Sequence, residues 1–94
     1  MGAFIECLAA GTDAKRLPVE DGRVEWSEML ASGAATANAV KGEGFFFTVT
    51  ADQDGYLAIG ATPDSSQEPR HRILAGAVRS FAVRSGDRAH FTGG

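Results

Sequence analysis

Three side chains in this sequence could act as a thiol nucleophile or an imidazole base near neutral pH: Cys7, His71 and His90. Nucleophilic catalysis needs a nucleophile, a base and a group that orients the base, all held together. None of the serines sits in a Gly-x-Ser-x-Gly elbow, and no spacing couples Cys7 to either histidine. No catalytic residue is therefore assigned, and the chain is expected not to be an enzyme. A structural zinc takes about four Cys or His ligands. The three at positions 7, 71 and 90 do not supply that set, and Arg70 and Arg72 flank His71 with charges that repel a cation. Asp52-x-Asp54-Gly55 is similar to the opening of a calcium loop. Its glycine comes too early, however, and Ala61 stands where an EF-hand places its glutamate, so a hairpin turn is the reading preferred here. Gly42-Glu43-Gly44 precedes a strand and lacks the Lys-Ser/Thr pair of a phosphate loop. No cofactor and no metal are expected.

The charges that remain suit contact better than chemistry. Residues 1–68 carry four bases against eleven acids, a balance of −7, whereas residues 69–94 carry five arginines against Asp87, a balance of +4. Such a split can orient subunits head to tail or steer one end onto an acidic surface, unless the strands interleave and average it. Arg70, His71, Arg72, Arg79 and Arg84 are the candidate partner-interface residues. An overall charge of −3 argues against the broad positive face that nucleic acid requires. No apolar run approaches the roughly 20 residues of a membrane span, and no basic segment precedes an apolar stretch at the N-terminus. The expectation is a protein made in the cytosol that reaches any later destination by assembly, without nucleic-acid or membrane partners.

The elements that position these residues read as strands. In Phe45-Phe46-Phe47-Thr48-Val49-Thr50, the residues Phe45, Phe47 and Val49 share one face, and Phe46, Thr48 and Thr50 share the other. Asp52-Gln53-Asp54-Gly55 then predicts a hairpin to Tyr56–Ile59, with Leu57 and Ile59 inward. Residues 62–69 contain two prolines and no large apolar side chain, which predicts an exposed loop. Strands follow over 70–75, 78–84 and 88–91, the last closing the set after a turn at Ser85-Gly86-Asp87, with Phe81, Val83, Ala89 and Phe91 inward. Ahead of these, strands are read at 3–8 and 23–27, separated by turns at Gly11-Thr12-Asp13 and Asp21-Gly22, with Val24 and Trp26 on one inner face. A short helical turn is expected near 27–31 and an edge strand over 36–40. The pattern predicts one all-β domain over residues 1–94, a small antiparallel β-sandwich or jelly-roll-like barrel with at most one short helix. A chain of 94 residues with one cysteine has a thin core without a disulfide, which favours an oligomer or a host surface that shares burial.

In order, residues 45–60 (Phe-Phe-Phe-Thr-Val-Thr-Ala-Asp-Gln-Asp-Gly-Tyr-Leu-Ala-Ile-Gly), 72–76 (Arg-Ile-Leu-Ala-Gly) and 79–88 (Arg-Ser-Phe-Ala-Val-Arg-Ser-Gly-Asp-Arg) form a recurring cadence. A strand ends in a Thr-Ala-Asp turn, a second ends in Ala-Ile-Gly, and a third leads into a Gly-Asp turn. This half of the chain resembles the small β-sandwich virion proteins of tailed phages, prophages and gene transfer agents, including head decoration and head-spike or fibre components. The resemblance implies a non-enzymatic structural subunit of a virion, built in a bacterial cytoplasm. Its implied partners are further copies of itself or other virion proteins such as capsid, portal or spike components, and it implies no catalytic residues. The alternative is a small β-sandwich ligand-binding module, such as a carbohydrate-binding one, for which Tyr56 and Trp26 are the available rings.

Overall fold

The structure is a computed structural model that describes residues 2–12 and 18–94. It is all-β: β1 (Gly2–Thr12), β2 (Pro18–Ala31), β3 (Ala34–Ala35), β4 (Phe45–Ala51), β5 (Gly55–Gly60), β6 (His71–Ile73), β7 (Val78–Ala82) and β8 (Arg88–Gly93). They form two antiparallel four-stranded sheets, ordered β2-β1-β4-β7 and β3-β8-β5-β6. The two sheets bury their facing sides as a sandwich. Ile5, Cys7, Phe47 and Val49 of the first sheet and Leu57, Ile73, Ala89 and Phe91 of the second have almost no exposed surface. The period-2 reading of Phe47/Val49, Leu57 and Ala89/Phe91 therefore matches the core. Ile59 and Phe81 pack against that core half-buried rather than inside it.

The expected hairpin between 45–50 and 56–59 does not form. β4 and β5 belong to different sheets, and residues 52–54 carry the chain from one to the other. Each carboxylate of the supposed turn instead serves a distant backbone amide. Asp52 Oδ1 accepts from Gly2 N, and Asp54 Oδ1 accepts from Ala75 N at 2.8 Å. Gly55 is required for closeness rather than for a turn conformation, because a Cβ there would lie 2.5 Å from both the Phe91 ring and the Thr92 carbonyl oxygen.

The N-terminal reading also needs correction. No helical turn occurs at 27–31, since β2 runs to Ala31 and pairs with β1 throughout. The Asp21-Gly22 pair is not a turn but lies in an irregularity of β2, where residues 21–23 stand opposite Ala9 alone. Gly11 and Thr12 belong to β1, and Asp13 lies outside the described residues. A second shift leaves Glu25 as an extra residue between the Cys7–Trp26 and Leu8–Val24 pairs. This bulge reverses the alternation, so Trp26 stacks edge-on against Phe47 (5.4 Å) while Val24 is 48% exposed rather than sharing its inner face. The edge strand of the second sheet is Ala34–Ala35, not 36–40. At Thr36 the backbone amide still donates to the Ala89 carbonyl (2.8 Å), but the side chain takes the return bond, with Oγ1 accepting from Ala89 N (3.2 Å) and donating to the Asn38 carbonyl (2.9 Å).

Candidate functional site

Both ends of the strand order leave the sandwich open at its sides, and long polar side chains close these gaps. On one side Glu28 of β2 reaches across to the loop that follows β3. Its carboxylate accepts the Ala37 and Asn38 amides and Asn38 Nδ2, all at 2.9 Å. Burial on its own would raise the Glu28 pKa, but these bonds and the Arg88 charge outweigh it and hold the carboxyl below its usual value.

On the other side lie four of the five sequence candidates, of which His71, Arg72 and Arg79 join β6 to β7. Tyr56 lies on the outer face of the second sheet, opposite Arg72 across the β5–β6 ladder. The guanidinium carbon of Arg70 sits 3.6 Å from the Tyr56 ring centroid and that of Arg72 sits 4.8 Å away. Such stacks are worth about 0.5–1 kcal/mol where water has access, so they orient the arginines more than they stabilise the fold. Arg70 is held further by Glu68 (Nε to Oε1, 3.1 Å) and by the Ser65 carbonyl (Nη1, 3.1 Å). Arg72 donates to the Gly94 carbonyl at 2.6 Å and faces Asp54 Oδ2 at 3.9 Å. His71 points to the other side of β6 and lies 4.6 Å, centroid to centroid, from the Phe81 ring. Arg79 covers Phe81 at 5.0 Å and donates to the Arg72 carbonyl at 3.1 Å. Arg84 does not join this group. It lies beyond the end of β7, where its amide donates to Asp87 Oδ2 at 2.8 Å.

The sequence reading missed a second cluster, around Ser65. The loop 61–70 is not simply exposed, because Ser65 has no accessible surface. Its Oγ lies 2.7 Å from both His90 Nδ1 and Thr92 Oγ1, and its amide donates to the same Nδ1 at 3.0 Å. An amide can only donate, so Nδ1 accepts and the ring proton sits on Nε2, 3.2 Å from the Gly33 carbonyl. A serine beside a histidine suggests a catalytic pair, but substrate has no approach to a fully buried Oγ, and the group behind the imidazole is a carbonyl rather than a carboxylate. What this geometry does is pin the loop onto β8 and the β2–β3 turn. No sequence motif announces it; the one usable signal was a histidine at an alternating position of a strand. Beside the loop lies an open hollow of about 340 Å³ lined by Ile59, Thr62, Pro63, Asp64, Glu68 and Pro69. Asp64 is engaged there by the Ser66 hydroxyl and amide, which lower its pKa.

Cys7 is buried between the sheets, and desolvation raises its thiol pKa to about 11, so it is not a reactive nucleophile. Among the described residues no group of three or more His, Cys, Asp or Glu could hold a metal ion, and no helix is long and apolar enough to cross a membrane. Comparison of the chain with protein-family models, with curated proteins and with solved structures finds no match.

Proposed function

We propose that this chain is a non-catalytic structural subunit of a tailed-phage-like virion, attached to a neighbouring virion protein through the Arg70–Tyr56–Arg72 face of its second sheet. The observation that carries this reading is the stack itself. Two guanidinium groups are fixed over one ring on a sheet backed by the core, with N–H donors left over for planar acceptors. Arginine held in this way offers hydrogen bonding and apolar stem area together, which suits a protein contact. The resemblance of residues 45–88 to phage virion sandwiches supplies the kind of particle. The sugar-binding alternative draws less support, because both guanidinium groups lie over the Tyr56 ring that a sugar would need and Trp26 is stacked on Phe47. The test is co-sedimentation of the purified protein with particles lacking it, across a range of salt. Wild type should bind, and more weakly as ionic strength rises, whereas Arg70→Glu/Arg72→Glu should fail to bind while keeping its fold. Equal binding by the double variant overturns the proposed contact. Absence of any particle association, with specific retention on a glycan array, overturns the virion reading itself.

A further inference from the structure

Among the described residues the first sheet ends in two strands without an outer neighbour, β2 and β7, and their open edges can be read residue by residue. Asp52 N donates to Gly2 O, and Ala51 N donates to Ala77 O. In an antiparallel ladder, residues alternate between bonding the strand on one side and the strand on the other. The registers therefore assign the even residues of β1 to bonding with β4, and Ala3, Ile5 and Cys7 to bonding with Leu30, Glu28 and Trp26 of β2. The backbone groups of Ser27, Met29 and Ala31 consequently point out of the sheet. By the same alternation, Arg79 and Phe81 bond β4, and the backbone groups of Val78, Ser80 and Ala82 point outward. No backbone hydrogen bond among the described residues reaches either row beyond the pairing with β1 and β4. Neither stretch carries the proline or lysine that commonly blocks an edge.

We infer that copies of this chain associate head to tail, the β7 edge of one pairing with the β2 edge of the next. An antiparallel sheet with an even number of strands has oppositely directed edges, so adding β7 to the β2 of a second copy continues the antiparallel pattern and keeps inner faces together. Outward-pointing residues must pair with outward-pointing residues, which leaves few registers. One of them sets Val78 opposite Met29, Arg79 opposite Glu28, Ser80 opposite Ser27 and Phe81 opposite Trp26. In that register Val78 and Met29, the two large apolar residues most exposed among the described residues of the first sheet, at 62% and 64%, cover each other. The Arg79 guanidinium meets a carboxylate that has three of its roughly four lone-pair positions occupied. Sliding by two residues one way sets Arg79 against buried Leu30 and Phe81 against Glu28. Sliding the other way runs β7 into the Glu25 bulge. Charge favours the same partner, since the pairing sets Arg79 of β7 against Glu28 of β2. The contact is heterologous and generates a ring if its rotation closes or a filament if it does not. It rests on the first sheet alone and stands whatever the arginine face of the second sheet contacts.

The test uses the full chain in sedimentation velocity. Wild type should form oligomers that grow beyond a dimer with concentration and dissociate as salt rises. Val78→Lys and Met29→Lys, both at exposed sites, should each raise the midpoint concentration by about tenfold or more, the effect of a lysine placed in a pairing edge. A mixture of the two variants should form a 1:1 dimer, since each keeps the edge that the other has lost. Ser27→Cys/Ser80→Cys should yield a ladder of disulfide-linked oligomers on oxidation, Cys7 being buried. A wild type that stays monomeric to about 1 mM, a mixture that does not associate, or a double-cysteine variant that gives no ladder overturns the inference.

Discussion

Replacing Glu28 by Gln tests how the sandwich is closed on the β2 side. The carboxylate accepts three hydrogen bonds at 2.9 Å, two of them from backbone amides that lie outside the strands. Hydrogen bonds to a charged group contribute about 1.5–3 kcal/mol each when buried. Glu28 is only partly buried, so water screens each bond and the set is worth about 1–2 kcal/mol. Glutamine keeps one acceptor oxygen in place of two and loses the charge, so most of that amount should go. For a chain of this size 1 kcal/mol moves Tm by about 4–8 °C. Thermal unfolding at neutral pH, in dilute protein so that association does not contribute, should therefore show a lowered Tm. The pH dependence carries the sign. The folded pKa of Glu28 is lowered, so its contribution is complete above the unfolded glutamate value of about 4.3 and is lost as pH falls through the folded value. The gap between wild type and variant should thus close on acidification. Equal Tm values at neutral pH, or a gap that persists unchanged well below the carboxylate range, would refute the closure role.

Three further outcomes follow from the core and the loop. Leu57→Ala should cost about 2–5 kcal/mol in denaturant unfolding, because Leu57 has no exposed surface and its neighbours lie on two opposed sheets; a loss within about 0.5 kcal/mol places it at the surface. Ser65→Ala removes the only hydroxyl between His90 and Thr92 while keeping the amide bond to Nδ1. It should speed hydrogen exchange in the loop 61–70 more than in β4 or β5, and uniform exchange across the chain counts against pinning of the loop. The Cys7 thiol should resist alkylation at pH 8 until the protein is denatured, and rapid labelling of the folded chain contradicts its burial and raised pKa.

What the sequence conveyed was periodicity. Phe47 with Val49, and Ala89 with Phe91, alternate toward the core as their spacing requires, and that alternation is enough to specify strands and a buried face. Pairing was another matter. Asp54-Gly55 has the composition of a hairpin turn, yet its dihedral preference lost to two carboxylate–amide bonds and to a close approach between Gly55 and Phe91, all of which involve residues far away in sequence. The helical turn expected at 27–31 rested on alanine and on Met29 and Leu30, all good helix formers, and pairing with β1 overrode that local propensity. The face of Val24 was misread because a single bulged residue inverts every position beyond it. Of the candidate site, Arg70, His71, Arg72 and Arg79 were legible as an arginine-rich segment. Ser65 was hidden because burial of a loop serine depends on His90 and Thr92, about 25 residues later.

The charge split also changes meaning once the strands are placed. Interleaving does occur, with β7 in the first sheet and β6 and β8 in the second. It averages the charge in part: Arg70, Arg72 and Arg79 stay at one side, because β6 and β7 are both edge strands joined by the Arg79–Arg72 bond, but Glu68 and Asp54 pair there and Arg88 acts on Glu28 at the other. Glu25 and Glu28 of β2 belong to the opposite edge of the first sheet, where Glu25 pairs with Lys41 at 3.0 Å and Glu28 bonds backbone. What remains lateral is the unlike pair at the two edges of the first sheet, Arg79 on β7 and Glu28 on β2. Lateral asymmetry of this kind favours an edge meeting its opposite in a second copy over an edge meeting itself, because two copies joined through β7 alone bring Arg79 toward Arg79. A symmetric β7–β7 dimer is accordingly the arrangement the charges select against. High salt, which screens that repulsion, is the condition under which such a dimer would gain most relative to the head-to-tail contact. Sedimentation of wild type at low and high ionic strength separates the two: the head-to-tail form should weaken with salt, and a β7–β7 dimer should strengthen.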